Sequence, residues 1–170
     1  MSGVGFAVLF FGGLFGVSWV YSTIKKKAKR NIFFRDQYAR QRQLIDRNVI
    51  LMTTASIDSV VASLAHFIPN DTSVKAAFLG GGMRVHMESP NRIIFKHASK
   101  IGTGGSGDEF SASVTFNQVS RATVRAEVSI DRWREKDGVT RRAGIQSMEN
   151  FINTVTAAFR AVDPAVRIGA

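Results

Sequence analysis

"EFSASVTFNQVSRATVRAEVSID", residues 109–131, decides the fold. Phe110, Ala112, Val114 and Phe116 alternate with Ser111, Ser113 and Thr115. After a short break, Val124, Ala126, Val128 and Ile130 alternate with Thr123, Arg125, Glu127, Ser129 and Asp131. Successive side chains of a strand point to opposite faces. Two neighbouring runs of period two therefore predict an antiparallel hairpin with one buried face and one wet face.

The segments on either side extend this reading. Downstream, Asp137-Gly138 marks a turn, and "RRAGIQSMENFINTVTAAFRAVD" (141–163) follows. There Ile145, Met148, Phe151, Ile152, Val155, Phe159 and Val162 recur at helical spacing and predict a long amphipathic helix ended by Pro164. Upstream, "MRVHMES" (83–89) and "NRIIFKHAS" (91–99) flank Pro90-Asn91 and read as two strands joined by a turn. Residues 47–53, "RNVILMT", read as a first strand. A helix follows, with Thr54 as its cap, Asp58 in its first turn and Pro69 as its stop. Val74–Leu79 fits either a strand or a helix, and the role of residues 69–83 stays open. About 120 residues after residue 47 suffice for one domain with one core, so residues 48–168 are taken as a single α+β domain. Its terminal helix must bury its stripe on the antiparallel sheet.

The element order, with "SVTFNQVSRATVRAEVSI" followed by "GIQSMENFINTVTAAFRAV", resembles the helix-grip fold of the START and Bet v 1-like superfamily over roughly Arg47–Asp163. That resemblance implies a curved sheet around the terminal helix and a hydrophobic cavity between them. Phe95, Phe110, Val114, Phe116, Val128, Phe151 and Phe159 would be the cavity walls, and the occupant an apolar ligand or lipid. The plainer reading of the same seven residues is a packed core.

The chain begins differently. Val4–Ile24 is 21 residues without an ionisable side chain, eleven of them Val, Leu, Ile or Phe. As a helix it would span roughly 30 Å, the thickness of a bilayer's hydrocarbon core. A secretory signal would need a charged start and a shorter apolar core. Residues 4–24 are therefore expected to be a single-pass transmembrane anchor, a signal anchor that is not removed. Lys25, Lys26, Lys27, Lys29 and Arg30 follow it, which predicts an outward N-terminus and a cytoplasmic domain at the cell membrane. The same five side chains are candidate contacts for anionic lipid headgroups. Gly12 and Gly16 form a small-residue pair suited to helix packing, through self-association or with other membrane proteins. Residues 25–47 are expected to form a basic juxtamembrane stalk.

The formal charge of +10 is uneven. Residues 25–47 hold nine Lys or Arg against two Asp, and residues 48–170 hold fourteen against eleven acids. The domain is thus only mildly basic, which argues against nucleic acid as the partner, and no nucleic-acid-binding motif accompanies it. The absence of cysteine excludes disulfides and thiolate chemistry. "IGTGGSGDEF" (101–110) lacks the Lys and Ser/Thr of a phosphate loop and reads as a connection between strands. His66, His86 and His97 show no metal-ligand spacing, though His86 and His97 are expected on one side of the sheet. Asp58, Glu88, Glu127 and Glu149 form no acid/base pair, so no catalytic residue, metal or cofactor is assigned. Two functions stay in competition: a non-catalytic scaffold or adaptor subunit of a membrane-associated assembly, and a tethered lipid-binding domain.

Overall fold

The computed structural model describes residues 35–73, 81–98, 108–136 and 139–169. In chain order these form α1 (Arg35–Ile45), β1 (Val49–Thr53), α2 (Ile57–Phe67), β2 (Met83–Ser89), β3 (Arg92–Ala98), β4 (Asp108–Ser120) and β5 (Thr123–Trp133). There follow β6 (Glu135–Lys136), β7 (Val139–Thr140), α3 (Arg142–Val162) and β8 (Arg167–Gly169). Six strands form one antiparallel sheet in the order β2-β3-β4-β5-β1-β8, and β6 and β7 pair separately.

The β4–β5 hairpin has the register that its alternation dictates. Val114 lies opposite Val128 and Phe116 opposite Ala126, and all four are buried. Ser113 lies opposite Ser129 on the other face. The next strand continues both faces, with Ile93 beside Val114 and Phe95 beside Ala112. Helix α3 lays its stripe on the inner face, burying Ile145, Met148, Phe151, Val155 and Phe159. The rings meet across the layers: Phe151 is 5.1 Å from Phe95 and 5.8 Å from Phe110, and Phe116 stacks on Phe159 at 6.4 Å. Helix α2 packs beside α3, burying Val60 and Leu64 in the same core.

The cap of α2 is Ser56, whose hydroxyl accepts the Ser59 N–H, and not Thr54 as the sequence predicted. Thr54 is turned to another task. Asp163, just past α3, accepts the Thr53 hydroxyl at 2.7 Å, the Thr54 N–H at 2.8 Å and the Thr54 hydroxyl at 3.1 Å on one oxygen. Its other oxygen accepts the Ala165 N–H. These donors, the Thr54 N–H first and the Thr53 hydroxyl next, stabilise the charged form and lower the Asp163 pKa from 3.8 to about 2. The carboxylate thus fastens the end of α3 to the end of β1.

Residues 35–45, expected as part of a stalk, are a helix docked on the domain. Gln41 is almost wholly buried; it donates to Glu135 Oε1 at 2.6 Å and accepts the Thr140 N–H at 2.8 Å. One turn earlier, Gln37 donates to the Thr140 carbonyl. Arg40 forms a bidentate pair with Glu149 of α3, and Leu44 packs against the core.

The expected class, a transmembrane helix ahead of the domain, needs correction. No helix among the described residues is long and apolar enough to cross a membrane. Helices α1 and α2 have eleven residues each, about 16 Å. Helix α3 has the length, but it carries Arg142, Glu149 and Arg160 and spends its apolar stripe on the sheet. The architecture that stands is α+β, an antiparallel sheet with a long C-terminal helix, and the membrane, single-pass and signal-anchor readings have no support in it. The expected span, residues 4–24, lies outside the described residues.

Candidate functional site

The two faces of the sheet differ in what covers them. The inner face holds the seven residues assigned to a cavity wall. Phe95, Phe110, Val114, Phe116, Val128, Phe151 and Phe159 are each no more than 3% exposed, and they belong to one core cluster. They pack on one another, as the ring contacts of the fold show. Phe151 and Phe110 also reach surface depressions. Phe151 borders a groove of about 320 Å³ with Phe67, Ile68, Pro69 and Met83. Phe110 borders a cleft described below. Lys25, Lys26, Lys27, Lys29, Arg30, Gly12 and Gly16 lie outside the described residues.

The outer face carries the alternate residues of the same strands, and cross-strand register arranges them in rows. The central rows are balanced in charge. Asp131 accepts the hydroxyls of Ser129 at 2.7 Å and Ser113 at 3.2 Å. Arg92 lies between Glu88 at 3.4 Å and Asp131 at 3.9 Å. Arg125 faces Glu127 at 3.8 Å, and Asn48 donates to Glu127.

At one end of the face, cations line up. Arg84 lies opposite Lys96, Lys96 opposite Ser111, and Ser111 opposite Arg132, so four strands contribute one row with three cations. All three cations are exposed. The register shift at Ser111/Ala112 brings Arg132 opposite Ser111 directly after Asp131. Lys96 and Arg132 make no ion pair among the described residues. Lys96, Ser111, Arg132, Trp133 and Arg134 line a cleft of about 480 Å³ with Glu109 and Glu135. The two acids are directed elsewhere. Glu135 Oε1 accepts from Trp133 Nε1 at 2.8 Å and from Gln41. Buried Glu109 lies against Gly144 in the first turn of α3, where the helix dipole favours a carboxylate.

The other candidates disperse. His86 pairs with Ile94 on the outer face, whereas His97 pairs with Phe110 on the inner face and stacks on its ring at 5.2 Å. The expectation that they share a side is therefore wrong. His66 meets Phe67 edge-on near the end of α2. Glu88, Glu127 and Glu149 each face a different arginine, and Asp58 sits in the first turn of α2. Among the described residues no group of three or more His, Asp or Glu could hold a metal ion. The cationic row went unread in the sequence, because its members are 12 to 21 positions apart and meet only through register.

No protein-family model matches the chain, and no curated protein matches it. Among solved structures it is similar to a conserved protein from Geobacillus kaustophilus, at 7% identity and a TM-score of 0.31 over 73% of this chain and 100% of that one. A likeness so slight carries no argument about fold or function.

Proposed function

We propose that this is a scaffold or adaptor domain that docks a partner protein on the outer face of its sheet. The observation that carries the reading is the contrast between the faces: the inner one is filled by packed side chains of the sheet, α2 and α3, and the outer one presents exposed cations from neighbouring strands. A filled interior supports surface recognition over an internal ligand. The helices of the inner layer hold the face rigid, which suits a docking platform.

The chain has no cysteine, so a single introduced thiol can carry a photo-crosslinker. Thr115→Cys places it in the centre of the outer face, and Ala157→Cys places it on the exposed side of α3. The expected result is one reproducible protein adduct from position 115, absent from position 157, whose protein rebinds the purified chain. Equal adducts from both positions, or none, would overturn the reading. The second reading is an apolar small molecule, favoured by the groove beside Phe67, which is 40% exposed. Native mass spectrometry of the full chain would then show a stoichiometric small molecule, and its occurrence would move the assignment there.

A further inference from the structure

We infer that α1 is a detachable strap: it leaves the domain as a unit while the sheet, α2 and α3 stay folded, and its leaving bares one wall of the cleft beside Lys96 and Arg132. This device is independent of which partner the outer face takes. The core is complete without α1. Among the described residues the core cluster has twenty buried members, from the sheet, α2, α3 and Ile68, and none from α1. Leu44, partly buried, is the α1 residue that packs against it, while Tyr38 and Ile45 are half-buried outside it. The buried residue of α1 is the polar Gln41. Gln37, Arg40 and Gln41 bond to the Thr140 carbonyl, to Glu149, and to Glu135 and the Thr140 N–H. Each of these groups finds water once the helix leaves, so the net contribution of such bonds is modest. An eleven-residue helix is marginal by itself in water, so α1 loses its helical form on leaving. Asp46, Arg47 and Asn48, which join α1 to β1, are exposed, and the chain turns there without opening the core.

Thr140 shows what the strap covers. It is fully buried and lies opposite Glu135 in the β6–β7 pair. Two side-chain amides of α1, four positions apart, take its C=O and its N–H. One helical turn thus supplies what a neighbouring strand residue would supply. When α1 leaves, both groups of Thr140 meet water, and Glu135 Oε1 keeps the Trp133 Nε1 donor. Trp133 and Glu135 line the cleft together with Lys96 and Arg132, so α1 braces that wall. The Thr140 amide is also a reporter. It is 99 positions from its acceptor Gln41, and it shares the exchange of α1 only if the whole contact opens at once.

The test is amide hydrogen exchange of the full chain, read by NMR at increasing urea below the unfolding transition. Local opening is cheaper than global unfolding, and its urea slope is small because the slope scales with the surface exposed. The amides of residues 39–45 and of Thr140 should open together, about a hundredfold or more above Val114, Val128 and Val155, and with a smaller urea slope. Gln37→Ala with Arg40→Ala and Gln41→Ala should leave α1 and Thr140 almost unprotected, while those three core amides remain protected and circular dichroism loses one short helix. Trp133 reports the cleft wall. In a Trp19→Phe background it is the remaining tryptophan, and its quenching by acrylamide should rise about twofold in the triple variant. Exchange of Thr140 with the core amides, a urea slope for α1 equal to theirs, or global unfolding of the triple variant would each overturn the strap. Unchanged quenching of Trp133 would overturn its link to the cleft.

Discussion

Replacing Gln41 by Ala is the sharpest test of where the domain begins. The Gln41 side chain is 2% exposed and satisfies two groups at once, Glu135 Oε1 and the Thr140 N–H. Thr140 is itself fully buried, so truncation leaves its backbone N–H without its Gln41 acceptor. An unsatisfied buried donor costs about 1–3 kcal/mol. For a domain of this size each kcal/mol shifts the melting temperature by about 3–5 °C, so a fall of about 3–15 °C is expected. Gln41→Leu should fare no better, because it restores volume without the bonds. Arg40→Ala is the comparison: it removes an ion pair whose arginine is 51% exposed, and such pairs contribute about 0.2–1 kcal/mol. Thermal melts of residues 35–169 in the three variants decide the matter. A Gln41→Ala variant within about 0.5 kcal/mol of the parent, the range of ordinary surface substitutions, would refute the docking of α1.

Two further outcomes follow from the core and from Asp163. Phe151→Ala and Phe159→Ala should each cost about 3–5 kcal/mol, and the double variant should leave the domain largely unfolded by circular dichroism, since small domains have about 5–15 kcal/mol in total. Asn153→Ala on the exposed side of α3 should leave stability nearly unchanged. The Asp163 pKa is depressed on folding, chiefly by the Thr54 N–H and then the Thr53 hydroxyl. Its contribution is therefore fully present above about pH 4 and is lost as pH falls through the folded value of about 2. Urea midpoints measured between pH 5 and pH 2 should fall along a shallower acid limb in Asp163→Asn; an unchanged slope would remove the carboxylate from that role.

The parts of this fold that were legible are those written as periodic hydrophobicity. The β4–β5 alternation and the α3 stripe each state which side is buried, and the structure buries those sides. What was not legible depends on polar side chains or on register. Helix α1 docks chiefly through Gln37, Arg40 and Gln41, residues that a hydrophobicity pattern assigns to solvent. Thr54 looked like a cap because it precedes the apolar repeat, but the carboxylate of Asp163, more than a hundred residues later, claims it. His86 and His97 each alternate with apolar neighbours, which says nothing of shared facing. The β2–β3 register pairs even with even and odd with odd, and so places them on opposite faces. The cationic row has the same origin: three ordinary charged residues acquire a meaning only when four strands are laid side by side.

Glu135 joins the two features that the sequence concealed. Its Oε1 accepts from Gln41 of α1 and from Trp133 at the cleft beside Lys96 and Arg132. While α1 is docked, the charge of this carboxylate is held by two donors on the domain side. If the Gln41 donor is removed, Glu135 Oε1 keeps the Trp133 Nε1 donor and still borders the cleft lined by Lys96 and Arg132. One oxygen atom thus belongs both to the α1 contact and to a residue of the cleft. The integrity of α1 thus bears on the wall of this cleft as well as on the stability of the domain.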